Sequence, residues 1–264
     1  MFGEEIPYEV EEKKYCKSHW EIGFGLQKID GQTPSQYLVN LADEQLATGL
    51  SYEEIENQLT NYYEDGKACG NMETDFSSLR IAEILSDDSF SLSPATLLGI
   101  HRDIFSGIKA FHYPVGQFRE ENITKKEPIL NGDTVSYASH TMIKDTLVWD
   151  FDQEKNKNHV GKTKETIAHE VMAFISNIWQ VHPFREGNTR TTAVFAIKYL
   201  RQLGFEIDNQ PFKDHSDFFR HALVLANYHK TGKTNKYLKM FTENILLDGK
   251  NYLVIEPIKQ RSEN

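Results

Sequence analysis

Residues 182–190 read HPFREGNTR, from His182 to Arg190. A histidine, a carboxylate, two arginines and the polar step Gly187-Asn188-Thr189 crowd into one short string. Its flanks decide the fold. Upstream, Ile167, Val171, Phe174, Ile175 and Ile178 fall on one stripe at helical spacing, which predicts a central helix ending near Val181. Downstream, Val194, Ile197, Leu200 and Leu203 repeat the pattern from a start near Asn188, and Gly204 is placed to cap it. The string therefore joins two buried helices. Residues 182–187 form the loop, and Gly187 to Thr189 lead into the first turn of the second helix.

That placement has chemical consequences. The start of a helix presents unpaired N–H groups and about half a positive charge, which is an anion site. Gly187 lets a phosphate approach the backbone, and Arg190 adds a forked donor. Glu186 can hold a divalent ion, because Mg²⁺ accepts one or two carboxylates when phosphate oxygens complete its shell. His182 enters from the other side and is a base suited to neutral pH. A base, a metal carboxylate and a phosphate nest on one loop describe phosphoryl or nucleotidyl transfer. Phe184 reads as the anchor that pins the loop to the core.

Outside the string the helical period continues. Ser51-Tyr-Glu-Glu54 is a capping box before Ile55, Leu59 and Tyr62. Ser93-Pro94 opens a run carrying Leu97, Ile100 and Ile104, and a last helix is expected over 235–247. One stretch differs. Residues 122–139 place extended arms on either side of Asn131-Gly132, a hairpin signal, with Pro128 confining the first arm to an edge. Gly66 and Gly70 interrupt two helical runs. The expected fold is all-α with one short β-hairpin, divided into a helical lobe over 1–65 and a main domain over 66–264.

Bulk properties narrow the function. The 264 residues carry a formal net charge of −10, which argues against nucleic acid as a partner. No stretch is apolar and long enough to cross a membrane, and the acidic start reads as no signal peptide. Cys16 and Cys69 lack the spacing of a metal knuckle or a disulfide framework, so the expected compartment is the cytoplasm.

The string resembles the Fic family motif HxFx(D/E)GNGRxxR. His182, Phe184, Glu186, Gly187, Asn188 and Arg190 sit in register. The resemblance implies a helical protein that transfers AMP from ATP to a hydroxyl side chain of a target protein and releases pyrophosphate. It implies His182 as general base, Glu186 as Mg²⁺ ligand, and Gly187, Asn188 and Thr189 as the anion hole, with Arg190 on a phosphate. Residues 116–139 are similar to the family's flap, which docks the target by main-chain pairing. Residues 216–228 resemble the helix bordering the adenine pocket, which suggests Asn227 and Tyr228 as nucleotide contacts. The implied partners are a target protein on the flap, the chain itself as a substrate (hydroxyls such as Tyr137 and Tyr8), and further copies of the chain.

Two positions depart from the pattern. Thr189 stands where the family has its second glycine, and Ala193 stands where it has its second arginine. That arginine grips the γ-phosphate and pairs with the glutamate of an inhibitory motif, (S/T)xxxE(G/N). No clean copy of the inhibitory motif is present. Asp30 in LQKIDG, Glu64 after Thr60, and Glu243 before Asn244 are the three candidates. The first makes residues 1–65 resemble an antitoxin-like lobe with an altered brake.

Other readings stay open. The same site could transfer UMP, phosphocholine or a phosphoryl group, or remove AMP. A regulatory module with an inactive site is a different class, and an intact His182 argues against it. A metal hydrolase on His182 with His169 or His221 lacks any ligand spacing in support.

Overall fold

The computed structural model describes residues 6–64, 70–230 and 232–255, with side chains from residue 14 onward. The expected boundary at 65/66, Cys69 and the Tyr8 side chain lie outside the described residues.

The described chain is helical. Its helices are α1 (Ile6–Gln27), α2 (Gln36–Thr48), α3 (Tyr52–Glu64), α4 (Met72–Ser86), α5 (Pro94–Phe105), α6 (Ile143–Lys155), α7 (Lys164–Val181), α8 (Asn188–Gln202), α9 (Gln210–Asp214), α10 (Ser216–Asn227) and α11 (Lys236–Leu246). The starts are set by the caps expected from sequence. The Ser51 hydroxyl accepts from Glu54 N at 3.2 Å while the Glu54 carboxylate accepts from Ser51 N at 2.8 Å. Ser93 caps α5 ahead of Pro94 by accepting from Thr96 N at 3.1 Å.

α7 is the central element. Val171, Ile175, Ile178 and Trp179 have no exposed surface, and α6, α8, α10 and α11 all pack on it. α8 is buried almost throughout and lies against α5. The loop between α7 and α8 is thus clamped at both ends by core helices. α1 packs along α4, and the 3-10 turn after it, Lys28–Asp30, meets α10. One continuous apolar core runs from Trp20 in α1 to Leu253. No described helix is long and apolar enough to cross a membrane.

The expected hairpin needs correction. The chain does turn back at Asn131-Gly132, both with positive φ, and Glu127 N bonds to Asp133 O at 2.8 Å. No β ladder follows among the described residues. Pro128 starts a 3-10 turn through Leu130. The arms then give their carbonyls to side chains instead of to each other. Arg119 donates to Glu121 O at 2.6 Å on one arm and to Ala138 O at 2.5 Å on the other, and Gln180 donates to Ser136 O at 3.2 Å.

Candidate active site

His182 closes α7. Its backbone is left-handed, with φ 51° and ψ 59°. The turn brings Nδ1 to 3.2 Å from the Trp179 carbonyl. A carbonyl only accepts, so Nδ1 carries the proton and Nε2 the lone pair. Nε2 is buried and unpartnered. Tyr137 stacks on the ring at 4.1 Å. Burial above all, then the charge of Lys125, holds the His182 pKa well below 6.5. The ring is a neutral base at physiological pH.

The loop is rigid for identifiable reasons. Phe184 is buried and stacks flat on His101 at 3.8 Å. The His101 ring accepts from Gly116 N at 2.9 Å through Nδ1, so its Nε2–H donates to Glu186 O at 3.1 Å. Asn188 closes the loop twice, accepting from Phe184 N and donating to Phe184 O, each at 2.9 Å. Arg119 supports it from outside, donating to His182 O at 2.8 Å. Gly187 has φ 78°, and a Cβ there would lie 2.4 Å from the Phe105 ring. Only glycine meets both demands.

The first helical bond of α8 runs from Thr191 N to Gly187 O at 3.0 Å. The N–H groups of Asn188, Thr189 and Arg190 therefore project past the helix start as an anion site. The Thr189 hydroxyl does not enter this nest. It turns toward α7 and accepts from the Trp179 indole at 2.9 Å. Ala193 is wholly buried in α8.

Charges surround the nest. Glu186 receives Lys125 Nζ on both oxygens, at 2.9 and 3.1 Å. Burial works to raise the Glu186 pKa, but Lys125, the Gly187 N–H and Arg190 together outweigh it and lower the pKa. The group is an ionised carboxylate already engaged by a cation. Arg190 is 2% exposed. Its Nη2 lies 2.7 Å from Glu73, its Nη1 donates to Gln27 at 3.1 Å, and its Nε lies 3.2 Å from Asp30 without the alignment of a hydrogen bond. Arg220 borders the same space, held 3.1 Å from both oxygens of buried Glu127. The remaining cavity is about 20 Å³, room for one water molecule.

The structure thus brings His182, Glu186, Gly187, Asn188, Thr189, Arg190 and Asp30 around one cavity. Other expected residues lie elsewhere. Asn227 spends its amide on Ser176 and Leu223 and lines a separate cavity between α7 and α11. Tyr228 bonds to Asp133 at 2.8 Å, tethering the turn of the flap. Glu64 is exposed beside Lys109 at 3.8 Å, and Glu243 accepts from Asn251 at 2.8 Å. Lys125, Arg119, Gln27, Glu73 and Arg220 were not legible as site residues. Gln27 falls in the LQKIDG string, which could have flagged it. The other four carry no local pattern and converge only through tertiary packing. Among the described residues no group of three or more His, Cys, Asp or Glu forms a metal cage.

Residues 91–200 match the model of the Fic/DOC family. A protein of Sinorhizobium fredii named "Probable protein adenylyltransferase y4lH" is 41% identical over 54 residues, which cover 20% of this chain and 28% of that protein. The chain therefore matches under a third of that relative's length. Among solved structures, a Fic-domain-containing signaling protein from Bacteroides thetaiotaomicron aligns with a TM-score of 0.57 at 14% identity, over 90% of this chain and 84% of that one. The N-terminal Fic domain of a VirB-translocated Bep effector protein from Bartonella quintana, solved with bound ADP, aligns with a TM-score of 0.53 at 21% identity, over 72% and 85%. At these identities the two structures show a shared fold.

Proposed function

This chain carries a Fic domain over residues 91–200, and we propose that it transfers AMP from ATP to a hydroxyl side chain of a target protein, releasing pyrophosphate. The observation that carries this reading is the unpartnered Nε2 of a neutral His182, which shares one cavity with the open N–H groups at the start of α8. Nε2 takes the proton of the incoming hydroxyl. The hydroxyl oxygen forms a bond to the α-phosphorus, and the bond from that phosphorus to the bridging oxygen breaks. Pyrophosphate leaves with the electron pair. The N–H groups of Asn188, Thr189 and Arg190 hold phosphate oxygens. The adenylyltransferase name of the Sinorhizobium relative supports AMP over other groups.

The residues present fit Mg²⁺. Glu186 is ionised and already paired with a cation, and a single carboxylate suits an ion completed by phosphate oxygens. When bound, the ion neutralises charge on the phosphates. Glu186 would hold it once Lys125 has moved aside.

Residues 1–65 act in this reading as an antitoxin-like lobe on the catalytic domain, 66–264. The brake works through Arg190, because the second arginine is absent. Asp30, together with Gln27 and Glu73, occupies the guanidinium that a nucleotide phosphate needs. The target protein docks beside the flap, and the chain's own hydroxyls are alternative acceptors.

The test is label transfer with Mg²⁺ and a cell lysate, using ATP labelled at the α- or the γ-phosphate, with wild type, Asp30→Ala and His182→Ala. Protein labelled from the α-position alone, and only with His182 present, supports AMP transfer. Label from the γ-position means phosphoryl transfer. No label from either position, with Asp30→Ala included, overturns the reading.

A further inference from the structure

Among the described residues three cations line the catalytic cavity, Lys125, Arg190 and Arg220, and the folded chain spends them unequally. Lys125 lies 2.9 Å from Glu186. Arg190 is committed on every nitrogen, with Nη2 on Glu73, Nη1 on Gln27 and Nε facing Asp30. Arg220 differs. Its Nη2 alone donates, at 3.1 Å to each oxygen of Glu127. Among the described residues no hydrogen bond takes its Nη1 or Nε. The Arg220 side chain keeps 24% of its surface exposed, against 2% for Arg190.

The direction of Arg220 is set from both sides. In α10, Phe219 and Leu223 are wholly buried, and Asp217, Arg220 and His221 form the more exposed stripe at spacings of three and four. Its partner Glu127 has no exposed surface and is locked into the flap turn. The Glu127 N–H donates to Asp133 O at 2.8 Å, and the Glu127 carbonyl accepts from Leu130 N and Gly132 N, each at 3.0 Å. Tyr228, at the end of α10, bonds to Asp133 in the same turn. A guanidinium held in advance loses less freedom when a ligand arrives. Satisfying Glu127 takes one nitrogen of the fork, and the donors left on Nη1 and Nε suit the oxygens of a phosphate. The charge of Arg220 is also among those that keep His182 neutral, so it lies within electrostatic reach of the base.

We infer that Arg220 is the arginine of this cavity that is poised for the nucleotide. Its uncommitted donors take oxygens of a phosphate seated on the N–H groups of α8, while Glu127 holds its Nη2. Arg190 joins only when its carboxylates release it. The inference rests on the nucleotide reading above and adds to it a contact from outside the motif loop.

The bland alternative is that the Arg220–Glu127 pair only tethers α10 to the flap turn. Isothermal titration of ATP at fixed Mg²⁺ separates the two, using Arg220→Gln, Glu127→Gln and the double variant, each in the wild-type and the Asp30→Ala background. Arg220→Gln should weaken ATP about tenfold, the size of one charge-assisted hydrogen bond. Glu127→Gln keeps an acceptor for Nη2 and leaves the guanidinium its full charge, so ATP should bind at least as tightly as to wild type. The double variant, which buries no unpaired carboxylate, should be as weak as Arg220→Gln. Equal weakening by the two single variants would make the pair a tether alone. Wild-type affinity in the double variant would make a stranded Glu127 the cause, and wild-type affinity in Arg220→Gln would take Arg220 off the phosphate. Each of these overturns the inference and leaves the nucleotide reading standing. ATP binding to no protein of the series overturns both.

Discussion

Asp30 Oδ2 stands 3.2 Å from Arg190 Nε, and Glu73 Oε1 stands 2.7 Å from Nη2 of the same side chain. Two carboxylates, one from the 3-10 turn after α1 and one from α4, thus hold the arginine at the head of α8. The guanidinium also lies over the Phe105 ring at 4.8 Å, so one face is covered as well. A phosphate reaching this arginine must replace at least one carboxylate.

Removing one carboxylate should therefore open the site. Asp30→Ala leaves Arg190 paired with Glu73 and Gln27, so the fold is retained. ATP should bind about tenfold more tightly, the size of one charge-assisted contact, and the transfer rate should rise. Isothermal titration with ATP and Mg²⁺ measures the first. An unchanged Kd in both Asp30→Ala and Glu73→Gln would remove the brake from the account.

In the proposed reaction Lys125 and Mg²⁺ would compete for one carboxylate. Both Glu186 oxygens face Lys125 Nζ, at 2.9 and 3.1 Å. Lys125→Met keeps the aliphatic stem and removes the ammonium. The Mg²⁺ concentration giving half-maximal transfer should fall about tenfold, if the ammonium contributes a typical partly buried charge pair. A Mg²⁺ dependence identical to wild type would mean that Lys125 is not in the way.

Much of this site could be read from residues 165–204, because each cue there is local. Helical periodicity placed α7 and α8, and the six-residue loop between them followed. The Phe184 anchor and the Gly187 turn were equally legible, since an apolar residue and a glycine each have a local reason to be there. The hairpin was legible only in part. Asn131-Gly132 does make the turn, but the ladder depended on whether the arms' carbonyls stayed free, and Arg119 and Gln180 take them. Asn227 shows the opposite limit. Its helix was placed correctly, yet the face it presents to Ser176 depends on packing between distant segments. Glu73 and Lys125 reach the motif from helix and loop positions that no spacing rule singles out.

Thr189 carries a prediction against the family pattern. Its hydroxyl accepts the buried indole N–H of Trp179 at 2.9 Å. Thr189→Gly would match the motif more closely, yet it would leave that donor unsatisfied at a cost of about 1–3 kcal/mol. Urea unfolding should show that loss, and Thr189→Ser should restore most of it. A Thr189→Gly protein as stable as wild type would mean that water or a neighbour replaces the hydroxyl.

His101 makes the fold sensitive to acid. Its Nδ1 accepts from Gly116 N at 2.9 Å, so protonation breaks a bond as well as burying a charge. Burial is the main cause holding its pKa at about 4, against 6.5 in an unfolded chain. The unfolded state therefore takes the proton first. The stability that neutral His101 contributes is complete above pH 6.5 and drains away as the pH falls through 6.5 toward 4. Comparing wild type with His101→Gln isolates the effect, because the carboxylates titrate alike in both. The stability advantage of wild type should shrink by about 2 kcal/mol between pH 7 and pH 5. Urea midpoints at the two pH values measure it. A constant difference across that range would show that His101 keeps its ordinary pKa in the native state.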